Sequence, residues 1–493
     1  MHKLCLINPP ELAGFVSDRD KAGGIGVARP YQASWRVPYL PPTPPMDLLY
    51  AAAIAEQEGV SLRFLDAIGN RWDREALLAR VAGEHASHIG VRVSLASLDA
   101  DLALVNELKA RHPGSQVFVF GHASQTTYTK WLKHSKADAV FYGEVEALLM
   151  PYLRGEASDH ILEPQGDKKA CFSWSYVQEL DELPYPAWHH VDIAQYSPSG
   201  KVEDFVFYIL TSRGCPKGCS MCPYYVHQGK QWRFREVDKV MQEFEYLRGL
   251  GARYIQTRDP NISWRKKHLL AIAERLKGEQ QFKISTETDL EVLNESDLVA
   301  LRDAGFVRIM TGVESVDESI LKEIHQNGNA LRRSLENMTI AQKVGIGVTG
   351  FFIVGSLQET WQSVRNTVAT AKALPCSYSV SLMTPYFGTE MREEYVKAGF
   401  YQEREGFKDY NGYTGMVRTT GLDYAEVTLA HAWAAAELEL VQRKRQLADA
   451  GGTAKLLQAA RVAAQGVRTL SLRARVTKRA NLAVPPLAVP AAT

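Results

Sequence analysis

Three cysteines fall within eight positions of the chain, in Ser212-Arg213-Gly214-Cys215-Pro216-Lys217-Gly218-Cys219-Ser220-Met221-Cys222-Pro223, at the spacing C-x3-C-x2-C. Three thiolates on one compact loop suit three irons of a [4Fe–4S] cubane, and the missing fourth cysteine leaves one iron open to another ligand. Gly214 and Gly218 have no Cβ, so backbone can lie close to such a cluster. The competing reading of the same loop is a structural zinc site with His227 as fourth ligand, although structural zinc draws more often on paired C-x2-C or C-x4-C units from separate loops. Cys5, Cys171 and Cys376 are read as small packed hydrophobes. Six cysteines in 493 residues make no disulfide framework, and their clustering suits a metal centre in a reducing compartment, which points to the cytoplasm.

The elements that must position this loop read as two α/β units. In the first, apolar runs KLCLIN, SLRFLD, HIGVRV, QVFVFG and AVFYG alternate with helical patterns at Met46 to Glu58, Arg74 to His85, Asp99 to Arg111, near Lys130 and from Glu146. Such alternation predicts βαβ units, hence a doubly wound, Rossmann-like parallel sheet over residues 1–160 that binds ligands at its strands' carboxyl ends. Those ends read Asn8-Pro9-Pro10, Asp66, Val93 to Ser97, Gly121-His122-Ala123 and Gly143-Glu144-Val145-Glu146. Prolines in ELDELPYPAWHHVD predict a linker over 161–200. Six further strands, FVFYILT, ARYIQT, FKIST, VRIMTG, VTGFFIV and YSVSLM, alternate with helices such as Glu236 to Leu250, Arg265 to Lys277 and Thr360 to Ala373. They predict a partial (β/α)6 barrel over 201–400, with chemistry at the carboxyl ends of its strands and the cysteine loop directly after the first. Residues 401–493 are then a helical accessory region.

The cysteine loop and its followers are similar to the radical S-adenosylmethionine (SAM) superfamily, in particular the subgroup with an amino-terminal cobalamin-binding domain. The resemblance covers about the first 400 residues. It rests on the cysteine loop, Arg258-Asp259-Pro260, Thr286-Glu287-Thr288, Gly312-Val313-Glu314-Ser315, Gly350 to Gly355 with Glu359-Thr360, and Thr384 to Thr389. The first unit's Asn8-Pro9-Pro10, Pro44-Pro45-Met46, Gly121-His122-Ala123 and Gly143 to Glu146 resemble the cobalamin domain. The resemblance implies that SAM chelates the open iron on Cys215, Cys219 and Cys222 and is cleaved to a 5′-deoxyadenosyl radical. It also implies that Asp259 holds the methionyl amino group, that Glu314 and Thr286 meet ribose or carboxylate, and that Ile353 packs on adenine. Asn8, Ser94, Ser97, Gly121, His122, Gly143 and Glu144 are its candidate cobalamin contacts. For each acidic residue an ion pair or helix cap is the structural alternative.

The chain departs from the family pattern at Met221, where an aromatic is usual, and at Arg258-Asp259-Pro260, where many members have Gly-Gly-Glu. It also lacks Asp-x-His-x-x-Gly; the corresponding stretch reads Asp66-Ala67-Ile68-Gly69-Asn70, so no histidine is there to ligate cobalt from below. The implied reaction is methylation of an unactivated carbon, which consumes two SAM molecules. Ring formation, oxidative cyclisation or rearrangement with the same cofactors is the alternative, and a non-catalytic zinc-stabilised binding protein is the rival from another class. A vestigial first sheet that only shapes the substrate pocket is a further reading. Implied partners are a small-molecule substrate (natural-product, tetrapyrrole or lipid-like) and an electron donor such as flavodoxin or ferredoxin.

Composition is that of a globular protein, 45% hydrophobic and 23% charged, and a net charge of +1 argues against general attraction to nucleic acid. The amino terminus shows no secretory signal, and the most apolar run, Val344 to Leu357, is too short to span a bilayer. From Val441 onward, ten Lys or Arg face the single acid Asp449. Arg461, Arg468 and Arg475, seven apart, fall on nearly one helical face, so this helix either docks on the barrel or lies peripherally on an anionic membrane.

Overall fold

Runs of Leu, Ile, Val and Phe bounded by turn residues become strands covered on both faces, because only a parallel sheet sandwiched by helices buries such runs completely. The computed structural model describes residues 3–19, 24–30, 42–83, 85–164, 174–278, 281–324, 328–404 and 406–480. Cys171 and the Ala and Pro-rich last ten residues lie outside them.

The first sheet contains β1 (Lys3–Asn8), β4 (Ser61–Asp66), β5 (His88–Arg92), β6 (Gln116–Phe120), β7 (Ala139–Phe141) and β8 (Ile161–Leu162); β2 (Phe15–Asp18) and β3 (Val27–Pro30) form a separate hairpin. Strand order is β4-β1-β5-β6-β7-β8, parallel except for the antiparallel edge strand β8. All five strands expected from the apolar runs are present, and the helices over 46–57, 74–82, 98–111, 128–134 and 145–153 fall where the 3.6-residue period places them. The hairpin and β8 have no counterpart in the sequence reading. The hairpin lies over the carboxyl end of β5: Leu95 N donates to Ile25 O at 2.7 Å, and a Cβ on Gly26 would meet the Ser94 Cβ at 2.6 Å.

The second sheet is a partial barrel. Its strands β9 (Val206–Ile209), β12 (Tyr254–Thr257), β13 (Lys283–Glu287), β14 (Phe306–Glu314), β15 (Gly347–Val354) and β16 (Ser377–Leu382) pair in sequence order, all parallel. Between β9 and β12 a two-residue ladder joins β10 (Ser212–Arg213) to β11 (Arg233–Phe234). The predicted outer helices appear over 237–249, 266–276 and 361–373. Trp188 in the connecting segment is buried and meets Phe205 and Phe207 edge-on, which anchors that segment to the first barrel strand. Cys5 and Cys376 are buried thiols.

Two long helices, Tyr424–Asp449 and Gly452–Ala480, complete the described chain. The first packs on β16 and on helix Trp361–Ala373. The second docks on the first rather than on the barrel, through Gln465, Thr469, Leu472 and Val476. No described helix is long and apolar enough to cross a membrane.

Candidate active site

The β10–β11 ladder clamps the cysteine loop at its base. Just inside it Gly214 has φ +84°, and a Cβ there would sit 2.0 Å from the Gln231 carbonyl oxygen, so no other residue fits. Cys215 N donates to Gly229 O at 3.1 Å, and Cys222 caps the short helix Pro223–Gln228. Burial pushes all three thiols up, Cys219 to about 12, with the neighbouring cysteines adding repulsion at Cys219 and Cys222. Three thiolates in such a loop need a cationic partner to stay ionised. Among the described residues their sulfurs do not all lie within 4.8 Å of one another, whereas a tetrahedral zinc would draw them to about 3.8 Å. The loop thus fits a polynuclear cluster better than one ion. His227, the candidate fourth zinc ligand, is buried between Trp174 (ring stacked at 5.8 Å) and His122 (5.2 Å), and so belongs to the other side of the site.

Beside the loop a chamber of about 660 Å³ opens at the carboxyl ends of the barrel strands, with Met221, Cys222, Tyr224, Arg258, Glu287, Glu314 and Ile353 in its wall. Glu314 holds φ +60°, an unusual conformation for a residue with a Cβ, and its Oε2 is buried without a hydrogen-bond partner. Burial pushes its carboxyl up to about 8, with Lys217 opposing. Lys217 pairs with Asp289 at 2.9 Å. Asp259 and Thr286 lie in the layer beneath. The Asp259 carboxylate accepts from Ser212 Oγ at 2.6 Å and Thr211 Oγ1 at 2.7 Å, and Thr286 Oγ1 lies 2.6 Å from Thr257 Oγ1. Asp259 therefore secures the chain two residues ahead of Gly214.

A second, smaller cavity, about 70 Å³, lies between the first sheet's carboxyl edge and the barrel. Gly121, His122, Gly143 and Glu144 line it from the sheet, and Leu210, Arg213, Tyr224 and Arg258 from the barrel. Gly121 has φ +117°, and a Cβ there would meet the Val93 carbonyl oxygen at 2.8 Å. Burial pulls His122 down, so its imidazole is neutral at pH 7, and its Nδ1 has no hydrogen-bond partner. Asn8, Ser94 and Ser97 fall outside this wall. Asn8 Nδ2 donates to Asp66 at 2.8 Å, leaving Asn8 Oδ1 buried without a partner. Ser94 and Ser97 join each other at 2.7 Å, and Ser97 Oγ donates to Asp101, which Arg19 holds in a buried ion pair.

Four charges form the seam between the units. Arg213 reaches Glu146 at 2.7 Å and Glu144 at 3.2 Å, and Arg233 takes both oxygens of Glu144 at 2.9 and 3.0 Å. Sequence reasoning gives no role to Arg213, Arg233 or Tyr224. Tyr224 lies two residues past the last cysteine, and that proximity is the signal that would have found it.

Residues 209–371 match the family model described as the radical SAM superfamily. An uncharacterized methyltransferase of Pyrococcus horikoshii is 26% identical over 364 residues, 71% of this chain and 78% of the relative. The cytidylyl-2-hydroxyethylphosphonate methyltransferase of Streptomyces wedmorensis is 26% identical, over 77% of this chain and 83% of its own. The fold is shared with the radical S-adenosylmethionine methyltransferase TsrM of Kitasatospora setae, solved with cobalamin and a [4Fe–4S] cluster (TM-score 0.62, 15% identity, 90% of this chain and 89% of that one). The cysteine loop and barrel strands β12 to β15 lie inside the matched span, so it is this part of the chain that is similar to the radical SAM superfamily.

Proposed function

We propose that the chain is a cobalamin-dependent radical SAM methyltransferase acting on an unactivated carbon of a small molecule. The observation that carries this reading is the pair of cavities at the carboxyl ends of two parallel sheets, with Tyr224 and Arg258 in the wall of both. When bound, the cluster with SAM supplies hydrogen-atom abstraction and cobalamin supplies the methyl group.

The fit rests on the donors present. Three thiols on a loop with positive-φ glycines suit the cluster, and Cys215, Cys219 and Cys222 would hold it. In the chamber Glu314 offers an acceptor for the methionyl or ribose groups of SAM, and Ile353 an apolar face for adenine. On the first sheet Gly121 and Gly143 let the backbone at the cavity's edge pack closely on Val93 and Ser175, and His122 and Glu144 offer polar contacts in its wall. Asp259 and Thr286 support this from below by holding the ends of β9, β12 and β13. We assign the cobalamin-binding unit to residues 1–160, the linker to 161–200, the radical SAM barrel to 201–400 and the accessory region to 401–493. A low-potential flavodoxin or ferredoxin would deliver the electron.

Anaerobic reconstitution with iron, sulfide and cobalamin tests the reading. The expected result is four irons and one cobalamin per chain, with 5′-deoxyadenosine and S-adenosylhomocysteine formed from SAM under reduction. Iron without cobalamin would leave radical chemistry but remove the methyl carrier.

We also propose peripheral contact with an anionic membrane. On helix Gly452–Ala480, Leu456, Val467 and Leu470 are 76%, 70% and 63% exposed, and with Ala460, Ala463 and Ala474 they share the face opposite the docked one. Arg461, Arg468 and Arg475 run along its border. An apolar stripe beside a basic one suits a lipid interface. Flotation with phosphatidylglycerol vesicles should be lost in a variant carrying L456N, V467N and L470N; equal flotation of both proteins would end the idea.

A further inference from the structure

Away from both cavities, one group of donors converges that neither the cluster nor cobalamin uses. Glu56 lies in the last turn of helix Met46–Gln57, whose amino-terminal end lines the smaller cavity through Met46, Asp47 and Tyr50. His189 and His190 end the short turn Trp188–His190 in the connecting segment. Both imidazoles reach the same carboxylate oxygen: His189 Nε2 lies 3.0 Å and His190 Nε2 2.7 Å from Glu56 Oε1. Among the described residues this is the one set of three His, Cys, Asp or Glu whose ligand atoms all lie within 4.8 Å of one another.

The elements beneath are fixed. Trp188 is buried, Ala187 N donates to Leu49 O at 3.2 Å, and the His190 ring stacks on Phe64 with centroids 5.1 Å apart and planes 10° apart. The outer side is open, with the His189 side chain 61% exposed, so an ion has an entry path and room for water ligands.

We propose that Glu56, His189 and His190 form a divalent transition-metal site of the zinc class, stapling the wall helix of the first unit to the segment that leads into the barrel. Two imidazoles and a carboxylate match the nitrogen and oxygen preferences of zinc. Ligand distances near 2.0 Å put tetrahedral donors about 3.3 Å apart, so an ion would open the present contacts by a few tenths of an ångström. The staple spans positions more than 130 residues apart in sequence.

The test uses full-length protein carrying its iron–sulfur cluster, so that the cysteines are occupied, dialysed anaerobically against zinc chloride. One zinc per chain beyond the iron, with a raised melting temperature, is the expected result. H189Q should weaken zinc on the order of tenfold or more, and H189Q with H190Q should abolish it, with iron content and 5′-deoxyadenosine formation at the unsubstituted level. No bound zinc, or equal zinc in the double variant and the parent, overturns the proposal. H189Q replaces an exposed side chain and so tests the site even if the double variant fails to fold.

Discussion

The seam between the two units is the part of the molecule most sensitive to a single substitution, and Arg213→Met tests it. Arg213 is nearly buried, with side-chain exposure of 7%, and faces Glu146 and Glu144 at 3% and 2%. Removing it strands Glu146, whereas Glu144 keeps both hydrogen bonds from Arg233. Leaving one buried charge unmatched costs about 3–5 kcal/mol. At about 2–4 °C per kcal/mol for units of 150–250 residues, the melting temperature should fall by about 6–20 °C. R213M/E146Q should recover most of that loss, because it leaves no unmatched charge.

The pH dependence gives a second, independent sign. Burial already raises Glu146 above its ordinary 4.5 and Glu144 adds repulsion, while Arg213 and a backbone hydrogen bond oppose, so in R213M the folded-state pKa rises further. A raised carboxyl destabilises the fold above its unfolded pKa, and the penalty disappears as pH falls toward that value. Glu144 adds to this only below pH 4.5: burial raises it, but the two arginines hold it low, so the stability it lends the parent is lost only on acidification past its unfolded value. The gap between parent and R213M, followed by circular dichroism at 222 nm, should therefore narrow from pH 8 to pH 5, and R213M/E146Q should show little of this slope. A melting temperature for R213M equal to the parent, or a gap that widens on acidification, would refute the reasoning.

Gly121→Ala places a methyl 2.8 Å from the Val93 carbonyl at φ +117°; a loss of about 1–3 kcal/mol and weaker cobalamin retention on gel filtration should follow, and an unchanged melting temperature would count against the tight approach. Burial raises Glu359 to about 8 although Gly355 N and Ser363 Oγ donate to it. Its folded pKa exceeds the unfolded 4.5, so the parent should lose stability relative to E359Q between pH 5 and pH 8, and parallel pH profiles would exclude this. Lys217 ties the cysteine loop to Asp289 and Glu291, so K217M should keep its circular dichroism but lose iron faster on desalting; equal iron retention would show that the tie does not secure the cluster.

What could be read from sequence, and what could not, divides along a physical line. Parallel strands covered on both faces leave continuous apolar runs, which is why KLCLIN, QVFVFG and VTGFFIV are legible as β1, β6 and β15. The β2–β3 hairpin carries no such run; one of its anchors is the Arg19–Asp101 ion pair across 82 residues, which no local pattern records. In the site, strand ends locate the rim but not the direction of each side chain. Gly121, His122, Gly143 and Glu144 meet one cavity. Asn8 turns to Asp66, Ser94 and Ser97 turn to Asp101, and Asp259 turns to Thr211 and Ser212, because each finds its partner on a neighbouring strand or helix. The cysteine loop is legible because its ligands are local. The Glu56 and histidine set is not, because its members meet only after folding.

The same reasoning explains why the seam is charged. Arg213 stands immediately before Gly214 and Arg233 immediately follows the loop strand's turn, so both ends of the cysteine loop are tied to Glu144. An apolar seam of equal area would hold the units together as strongly, since burying ion pairs gains little over packing. It would, however, tolerate sliding, because dispersion contacts re-form at a shifted register. Four interlocked charges in a buried seam do not: a shift of a few ångströms breaks several of these pairs at once, at a cost of several kcal/mol. The seam thus fixes where the cysteine loop sits relative to the first sheet's edge. Two cavities that share Tyr224 and Arg258 need a fixed separation to pass a reacting group between them, and a directional lock at the loop's base supplies it.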